Sequence, residues 1–216
     1  GWPLLNPPAL IRWNFDKGYL QELAELGIPT IPTVWLRAGE RVELARIQDA
    51  KGWPELVIKP RLSAGARGLW SVQGRVTPDD QTRLDDQLAT HDLLVQPLLR
   101  AVEKGERSLT FFRHAGRAGQ FSHALLKRPA PGDIRIQFHY GGTFAPIAPS
   151  EDDLATAAIA LGAIEHDWLY ARVDGLVEDG VFYLIEFELF EPVLYLQTDT
   201  HSVERFADAI QSRVGG

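Results

Sequence analysis

Apolar and polar positions alternate with a period of two along Phe182-Tyr-Leu-Ile-Glu-Phe-Glu-Leu-Phe-Glu-Pro192, and this pattern predicts a strand. Side chains alternate across a strand, so Glu186 and Glu188 share a face. A second strand is predicted at Ala171-Arg-Val-Asp174, and Glu178-Asp-Gly180 supplies the turn of a hairpin that brings Asp174 beside both glutamates. Two adjacent carboxylates in so apolar a run repel unless a cation lies between them, and three hard oxygen ligands suit Mg²⁺. The plainer alternative is an acidic edge strand that discourages aggregation.

The remaining pattern alternates helices and strands. Residues 1–13 read as a connector. Asn14-Phe-Asp-Lys17 opens a helix with Tyr19, Leu20, Leu23 and Leu26 at helical spacing and Gly27 as its stop. Ile28–Leu36 is extended, its prolines favouring an edge, and residues 41–50 form a short amphipathic helix through Leu44, Ile47 and Ala50. Strands follow at Trp53–Pro60, Trp70–Gln73 and Leu93–Leu99, with a helix opened by the Thr77/Asp80 capping box and packed through Leu84 and Leu88. Glu106–Phe112 and Gln120–Leu126 form a hairpin, and Ile134–Phe138 is a further short strand. A capping box at Ser150–Asp153 opens a helix with Leu154, Ala157, Ala158 and Leu161 inward. Ser202–Val214 closes the chain as a helix with Val203, Phe206, Ala207 and Ile210 on one face. The order is α+β, divided into a connector at 1–15, an N-terminal lobe at 16–97 and a C-terminal lobe at 98–216.

Composition narrows the classes. The chain has 216 residues, 45% hydrophobic and 24% charged, and its net charge of −7 argues against a sequence-independent nucleic-acid surface. There is no cysteine, hence no disulfide and no thiolate metal site, which fits a cytoplasmic protein. No apolar run approaches membrane-spanning length, and the start lacks a signal-peptide pattern. The chain has no methionine, initiator included, and so reads as a fragment, a processed product or a chain whose modified methionines were dropped.

A second chemical signal is Lys59, projecting from a strand into Arg61-Leu-Ser-Ala-Gly-Ala-Arg-Gly68, a loop whose small residues let backbone N–H groups approach an anion and whose Ser63 adds a hydroxyl. The lysine precedes the glycines, so this is not a Walker loop. A glycine-containing hairpin with an exposed lysine explains the loop equally well.

Taken together, Val57-Ile-Lys-Pro60, Ser63-Ala-Gly-Ala-Arg-Gly68, Leu94-Val-Gln-Pro97, Gly105-Glu106, Arg172-Val-Asp174 and Glu186-Phe-Glu188 resemble the ATP-grasp superfamily, in particular its glutathione synthetase-like branch, which includes the cycloserine-biosynthesis ligases. The resemblance spans residues 17 to 192 and implies ATP held between two α+β lobes. It implies that Lys17 and Lys59 bind phosphate, that the loop with Ser63, Gly65 and Gly68 is a lid over the phosphates, and that Gln96, Pro97, Leu98 and Leu99 meet adenine. Glu106 corresponds to an acid near the ribose or a cation, and Asp174, Glu186 and Glu188 to Mg²⁺ ligands. Two positions depart from the pattern: Glu188 stands where Asn is frequent, and Gln96 where Glu is common. The resemblance leads to the expectation that the superfamily's usual N-terminal substrate-binding domain is missing ahead of Lys17.

Lys127, Arg128 and Arg135 lie on and around one loop, and the resemblance gives such cations the γ-phosphate and the substrate carboxylate; the plainer reading is a solvated charged loop. Arg172 shares a face with Asp174 and either pairs with it or binds substrate. The catalytic cations are therefore assigned as Arg128, Arg135 and Arg172. His123 and His139 read as structural, Trp2, Trp13 and Trp35 as core or domain-interface residues, and Glu191 as a supporting acid or an amine ligand. The activity so implied is an ATP- and Mg²⁺-dependent ligase joining a small-molecule carboxylate to an amine or thiol through an acyl phosphate, with no nucleic-acid or membrane partner and homo-oligomerisation left open. A phosphotransferase on the same nucleotide site and a non-catalytic nucleotide-binding module are the alternatives.

Overall fold

The structure, a computed structural model, describes residues 4–63, 65–136 and 140–214. The chain divides into two compact units, residues 1–30 with 101–216, and residues 31–100.

The larger unit is built on an antiparallel five-stranded sheet in the order β7-β6-β5-β8-β9. Its strands are β5 (Glu106–Arg113), β6 (Gly119–Arg128), β7 (Thr143–Ile147), β8 (Tyr170–Glu178) and β9 (Val181–Glu188). The register pairs Asp174 with Glu186 and Arg172 with Glu188, as the alternating acids require. A bulge follows Asp174, where Gly175 pairs with Leu184. The Phe182 ring lies over Gly175, and a Cβ there would sit 2.3 Å from its Cζ, so only glycine fits. Helix α6 (Glu151–Gly162) begins at the Ser150/Asp153 capping box, and Asp153 also pairs with Arg107. Arg107 alternates with Glu106 and Ser108, so α6 lies on the face opposite those two residues. Helix α7 (Ser202–Val214) packs Phe206, Ala209 and Ile210 against Phe112, Leu169 and Leu194. The expected inward positions Val203 and Ala207 are exposed, as are Ala158 of α6 and Leu26, because each of these helices touches the unit through a narrower stripe than its apolar content allows.

The start of the chain departs from expectation. Residues 8–15 are not a connector but helix α1 (Pro8–Phe15), with a proline in its first turn. Helix α2 (Tyr19–Glu25) follows and ends at Gly27, whose φ is +81°. Both belong to the larger unit, so the division at residue 16 is displaced to residue 30. The physical reason is the edge of β9. Asn14 accepts a hydrogen bond from Leu189 N–H (3.0 Å) and donates to the Phe187 carbonyl (2.9 Å). Phe187 N–H donates to the Tyr19 hydroxyl (2.7 Å), and Leu184 N–H to the Pro29 carbonyl (2.9 Å). The backbone of an edge strand is thereby satisfied by side chains and a proline carbonyl rather than by another strand. No strand forms at 134–136; the residues Gln137, Phe138 and His139, like Trp2 and Ala64, lie outside the described residues.

The smaller unit carries a four-stranded antiparallel sheet in the order β1-β4-β2-β3. Its strands are β1 (Val34–Leu36), β2 (Leu56–Pro60), β3 (Trp70–Val72) and β4 (Leu93–Pro97). β1 takes the edge position its prolines favour. Helices α3 (Leu44–Lys51) and α4 (Pro78–Leu88, opened by the Thr77/Asp80 capping box) supply Leu44, Leu84 and Leu88 to a core with Leu56, Ile58, Leu93 and Val95. Gln48 rather than Ala50 is buried on α3, where it donates to the Gly74 carbonyl (2.7 Å). A helix of four residues, α5 (Ala101–Lys104), precedes β5 in the larger unit.

Asn14 joins the added helices to the acidic strand. Asn14→Ala would leave the Leu189 N–H without its partner and the Phe187 carbonyl with only the longer bond from the Tyr19 hydroxyl (3.5 Å), and is expected to destabilise the fold by about 1–3 kcal/mol in denaturant unfolding, whereas exposed Arg12→Ala should change it by less than about 0.5 kcal/mol.

Candidate active site

The cross-strand register sets three rows on one face of the five-stranded sheet. Phe144, Lys127 and Glu106 form the first row across β7, β6 and β5. Leu125, Ser108, Asp174 and Glu186 form the second, and His123, Thr110, Arg172 and Glu188 the third. Two buried cations and three acids thus meet around one carboxylate. Asp174 is bound by Arg172 through Nε (2.9 Å) and Nη2 (2.7 Å), by the Ser108 hydroxyl (2.6 Å) and by Lys127 Nζ (3.3 Å). Lys127 also lies 3.4 Å from Glu106, and Arg172 donates to Glu188 and to the Val193 carbonyl (3.1 Å). Lys17, itself buried, pairs with Glu186 at 3.0 Å.

The electrostatics follow from this crowding. Asp174 is held well below the usual carboxylate range because Arg172, Lys127 and their hydrogen bonds outweigh its burial. Burial lowers the Lys127 ammonium, but Asp174 and Glu106 more than offset it and hold its pKa above the ordinary value. Burial and the neighbouring Asp174 push Glu106 from 4.5 to about 8, and burial pushes Glu188 up to about 7 against the pull of Arg172.

The expected metal triad is therefore only partly assembled. Among the described residues no group of three His, Asp or Glu side chains is arranged to hold a metal ion. The oxygens of Asp174 are spent on Arg172, Ser108 and Lys127, and its side chain is 5% exposed. Glu186 and Glu188, at 34% and 29%, reach the surface of the same face. Among the assigned cations, Arg172 lies at the centre of the cluster, but Arg128 is exposed one residue beyond Lys127, so strand alternation turns it away. Arg135 is clamped to Asp133 (2.7 Å and 3.0 Å) and stacked over Tyr140 at 3.7 Å, which occupies its guanidinium within its own loop. Lys127, rather than Arg128, faces the acidic cluster, and the alternation of His123, Leu125 and Lys127 along β6 was the signal that could have found it.

The smaller unit places the other assigned residues. Lys59 and Gln96 are buried on the sheet face away from the core formed by Ile58 and Val95. The Gln96 amide donates to Thr33 Oγ1 (2.8 Å), and Leu98 N–H donates to the Glu55 carbonyl (3.0 Å). In the loop after β2, Ser63 donates to the Pro60 carbonyl (3.2 Å), and Gly65, Ala66 and Gly68 all have positive φ. Gly68 cannot carry a side chain, since a Cβ would come within 2.8 Å of Pro60 Cγ.

Comparison with known proteins settles the family. No family model matches the sequence. The chain is 31% identical over 231 residues to the cycloserine biosynthesis protein DcsG of Streptomyces lavendulae, an alignment covering 98% of this chain and 73% of that one. The chain belongs to the ATP-grasp superfamily. The crystal structure of D-cycloserine synthetase DcsG superposes with a TM-score of 0.81 at 28% identity, over 97% of this chain and 73% of that one. The fold is shared with D-alanine–D-alanine ligase of Bacillus anthracis (TM-score 0.70, 17% identity, 96% and 67% of the two chains) and with the ATP-grasp ligase PsnB (TM-score 0.64, 17% identity, 98% and 65%). This ATP-grasp chain is an ATP-dependent ligase that forms carbon–nitrogen bonds. Among the described residues no helix is long and apolar enough to cross a membrane.

Glu106 gives this buried cluster a signature in stability. Its folded pKa of about 8 exceeds the 4.5 of the unfolded chain, so the native state retains the proton and this group's stabilisation falls as pH rises from 4.5 through about 8. Asp174 has the opposite sign, its contribution being present above the usual carboxylate range and lost as pH falls. Glu106→Gln mimics the protonated acid. It is expected to leave the melting temperature near pH 5 almost unchanged and to flatten its decline toward pH 8, measured by thermal unfolding across that range.

Proposed function

We propose that this ligase activates a small-molecule carboxylate with ATP through an acyl phosphate, and that an amine or similar nucleophile then displaces phosphate. The observation that carries the reading is the convergence of buried Lys127 and Arg172 on one sheet face with the two partly exposed glutamates of β9. Charge on the transferring phosphoryl group is spread over its oxygens, and fixed cations that need no reorganisation stabilise it. Lys127 and Arg172 supply such charge, and Asp174 holds both in place rather than reaching outward. Glu186 and Glu188 fit a Mg²⁺ that keeps several waters and shares its shell with phosphate, and that ion would neutralise phosphate charge. Lys17, paired with Glu186, and Lys59 are the proposed phosphate contacts. The loop carrying Ser63, Gly65 and Gly68 is the proposed lid. Pro97 has no N–H and Leu98 spends its own on Glu55, so Leu99 N–H is the proposed donor to adenine. The attack comes from the substrate carboxylate, so no protein nucleophile is needed.

With an ¹⁸O-labelled carboxylate substrate and the complete natural chain, ADP is expected to accumulate and one label to appear in released phosphate. AMP with pyrophosphate, or label retained wholly in the organic product, overturns the acyl-phosphate route. Lys127→Ala is expected to lower kcat by about 10²–10³-fold, with a much smaller loss of ATP affinity, whereas Arg128→Ala should change kcat far less.

A further inference from the structure

Among the described residues three non-glycine residues have positive φ: Ala66 in the loop after β2, Asp179 in the β8–β9 turn, and Tyr195. Tyr195 alone of these is bulky, and at φ 51° and ψ 36° it lies in the left-handed region that a large side chain rarely enters. Such strain persists only where the surroundings impose it. Three successive residues are fixed here. The Val193 carbonyl accepts from Arg172 (3.1 Å), the Leu194 carbonyl from the buried His123 Nε2 (2.7 Å), and the Tyr195 carbonyl from Thr198 N–H (3.0 Å) and its hydroxyl (2.8 Å). Burial lowers the His123 pKa, consistent with a neutral ring whose Nε2–H makes this bond while Nδ1 faces the Ser122 hydroxyl at 2.9 Å.

The result is a ring placed over both buried cations. The Tyr195 centroid is 5.7 Å from Lys127 Nζ and 6.0 Å from Arg172 Cζ. Phe144, beside Lys127 in the register, meets the Tyr195 ring at 4.9 Å and 58°. The cation pair thus has acids on its β5, β8 and β9 side and an aromatic corner on its β7 side. Both rings retain exposure, and Phe144 is 42% exposed, so the corner has surface left for a ligand.

We propose that Tyr195 and Phe144 are specificity-determining residues that form the wall against which the side chain of the carboxylate substrate packs. The substrate class is a small carboxylic acid carrying a short aliphatic or weakly polar chain. Its carboxylate is directed at Lys127 and Arg172 and its chain at the aromatic corner. A strained tyrosine locked by His123 and Arg172 gives that wall a fixed position, and a rigid wall discriminates by size where a mobile one would yield. This inference rests on the ligase reading of the same site.

The test uses the complete natural chain with Mg·ATP and a series of D- and L-amino acids running from alanine through valine to phenylalanine, read as ADP release and as carboxylate binding by calorimetry. Tyr195→Ala and Phe144→Ala are expected to shift the ratio of kcat/KM between the bulky and small members by about tenfold or more, through KM, with ATP affinity held. Tyr195→Phe is expected to keep the wild-type ratio and Tyr195→Leu to lose part of it, which separates a wall from a fold defect. An unchanged ratio in both alanine variants of an active enzyme overturns the proposal and leaves the ligase reading intact. Equal loss for every acid, with a lowered melting temperature, overturns it in favour of a structural role. A wild-type chain that neither binds nor turns over any member overturns the reading of this face as the carboxylate-activating site, and the proposal with it.

Discussion

The buried pair of Arg172 and Asp174 is the interaction on which the site depends. The two residues alternate on one strand, β8, and the guanidinium reaches the carboxylate through two nitrogens. Neither charge could be buried alone, since an isolated ion in a low-dielectric interior costs far more than a fold of this size can offset. Each therefore recruits further partners. Asp174 takes Ser108 and Lys127, and Arg172 takes Glu188 and the Val193 carbonyl. The neighbouring strands and the segment after β9 are thus positioned by the demands of one ion pair, and the pair lends little net stability while fixing register.

The edge of the sheet imposes the second constraint. β9 carries the outward acids and is also the last strand, so its exposed backbone would invite another strand. The Asn14 and Tyr19 side chains and the Pro29 carbonyl satisfy its single N–H and carbonyl groups instead. This explains why α1 and α2 belong with the distant β9 and not with the chain that follows them. The plainer reading of the acids as an edge device holds only in that the strand is an edge: its backbone is satisfied by neutral groups, while Glu186 pairs with Lys17 and Glu188 with Arg172.

Period-two and helical patterns made the elements legible. The β8–β9 hairpin, the Asp174–Glu186 pairing, both capping boxes and the closing helix lie where periodicity puts them. The site was legible in its residue types and less so in its geometry. Which of Lys127 and Arg128 faces inward depends on strand parity, and parity was readable only once β6 extended through Arg128 instead of stopping at Leu126. That Asp174 serves the cations first depends on Ser108 and Lys127, which are distant in sequence and meet it only through register. Tyr195 was invisible for a different reason. Its importance lies in a backbone conformation imposed by contacts from β6 and β8, and nothing in the identity of a tyrosine announces a positive φ.

Charge balance on this face ties these points together. Lys17, Lys127 and Arg172 stand against Glu106, Asp174, Glu186 and Glu188. With Glu106 retaining its proton and Glu188 near its midpoint, the three cations only slightly outweigh the charged carboxylates, so the face has little spare positive charge to offer a triphosphate. In the proposed reaction, phosphate binding there would call for added positive charge, and Glu186 and Glu188, the two acids that reach the surface, would be the groups to recruit a divalent cation. The same balance bears on Glu188 standing where the superfamily often has asparagine. A second carboxylate beside Arg172 adds to the neutralisation by Asp174, whose carboxylate is shared between Arg172 and Lys127, and burial keeps Glu188 close to its protonation midpoint near neutral pH. In the proposed reaction Glu188 would turn from Arg172 to the incoming cation, and the guanidinium so released would meet the substrate carboxylate.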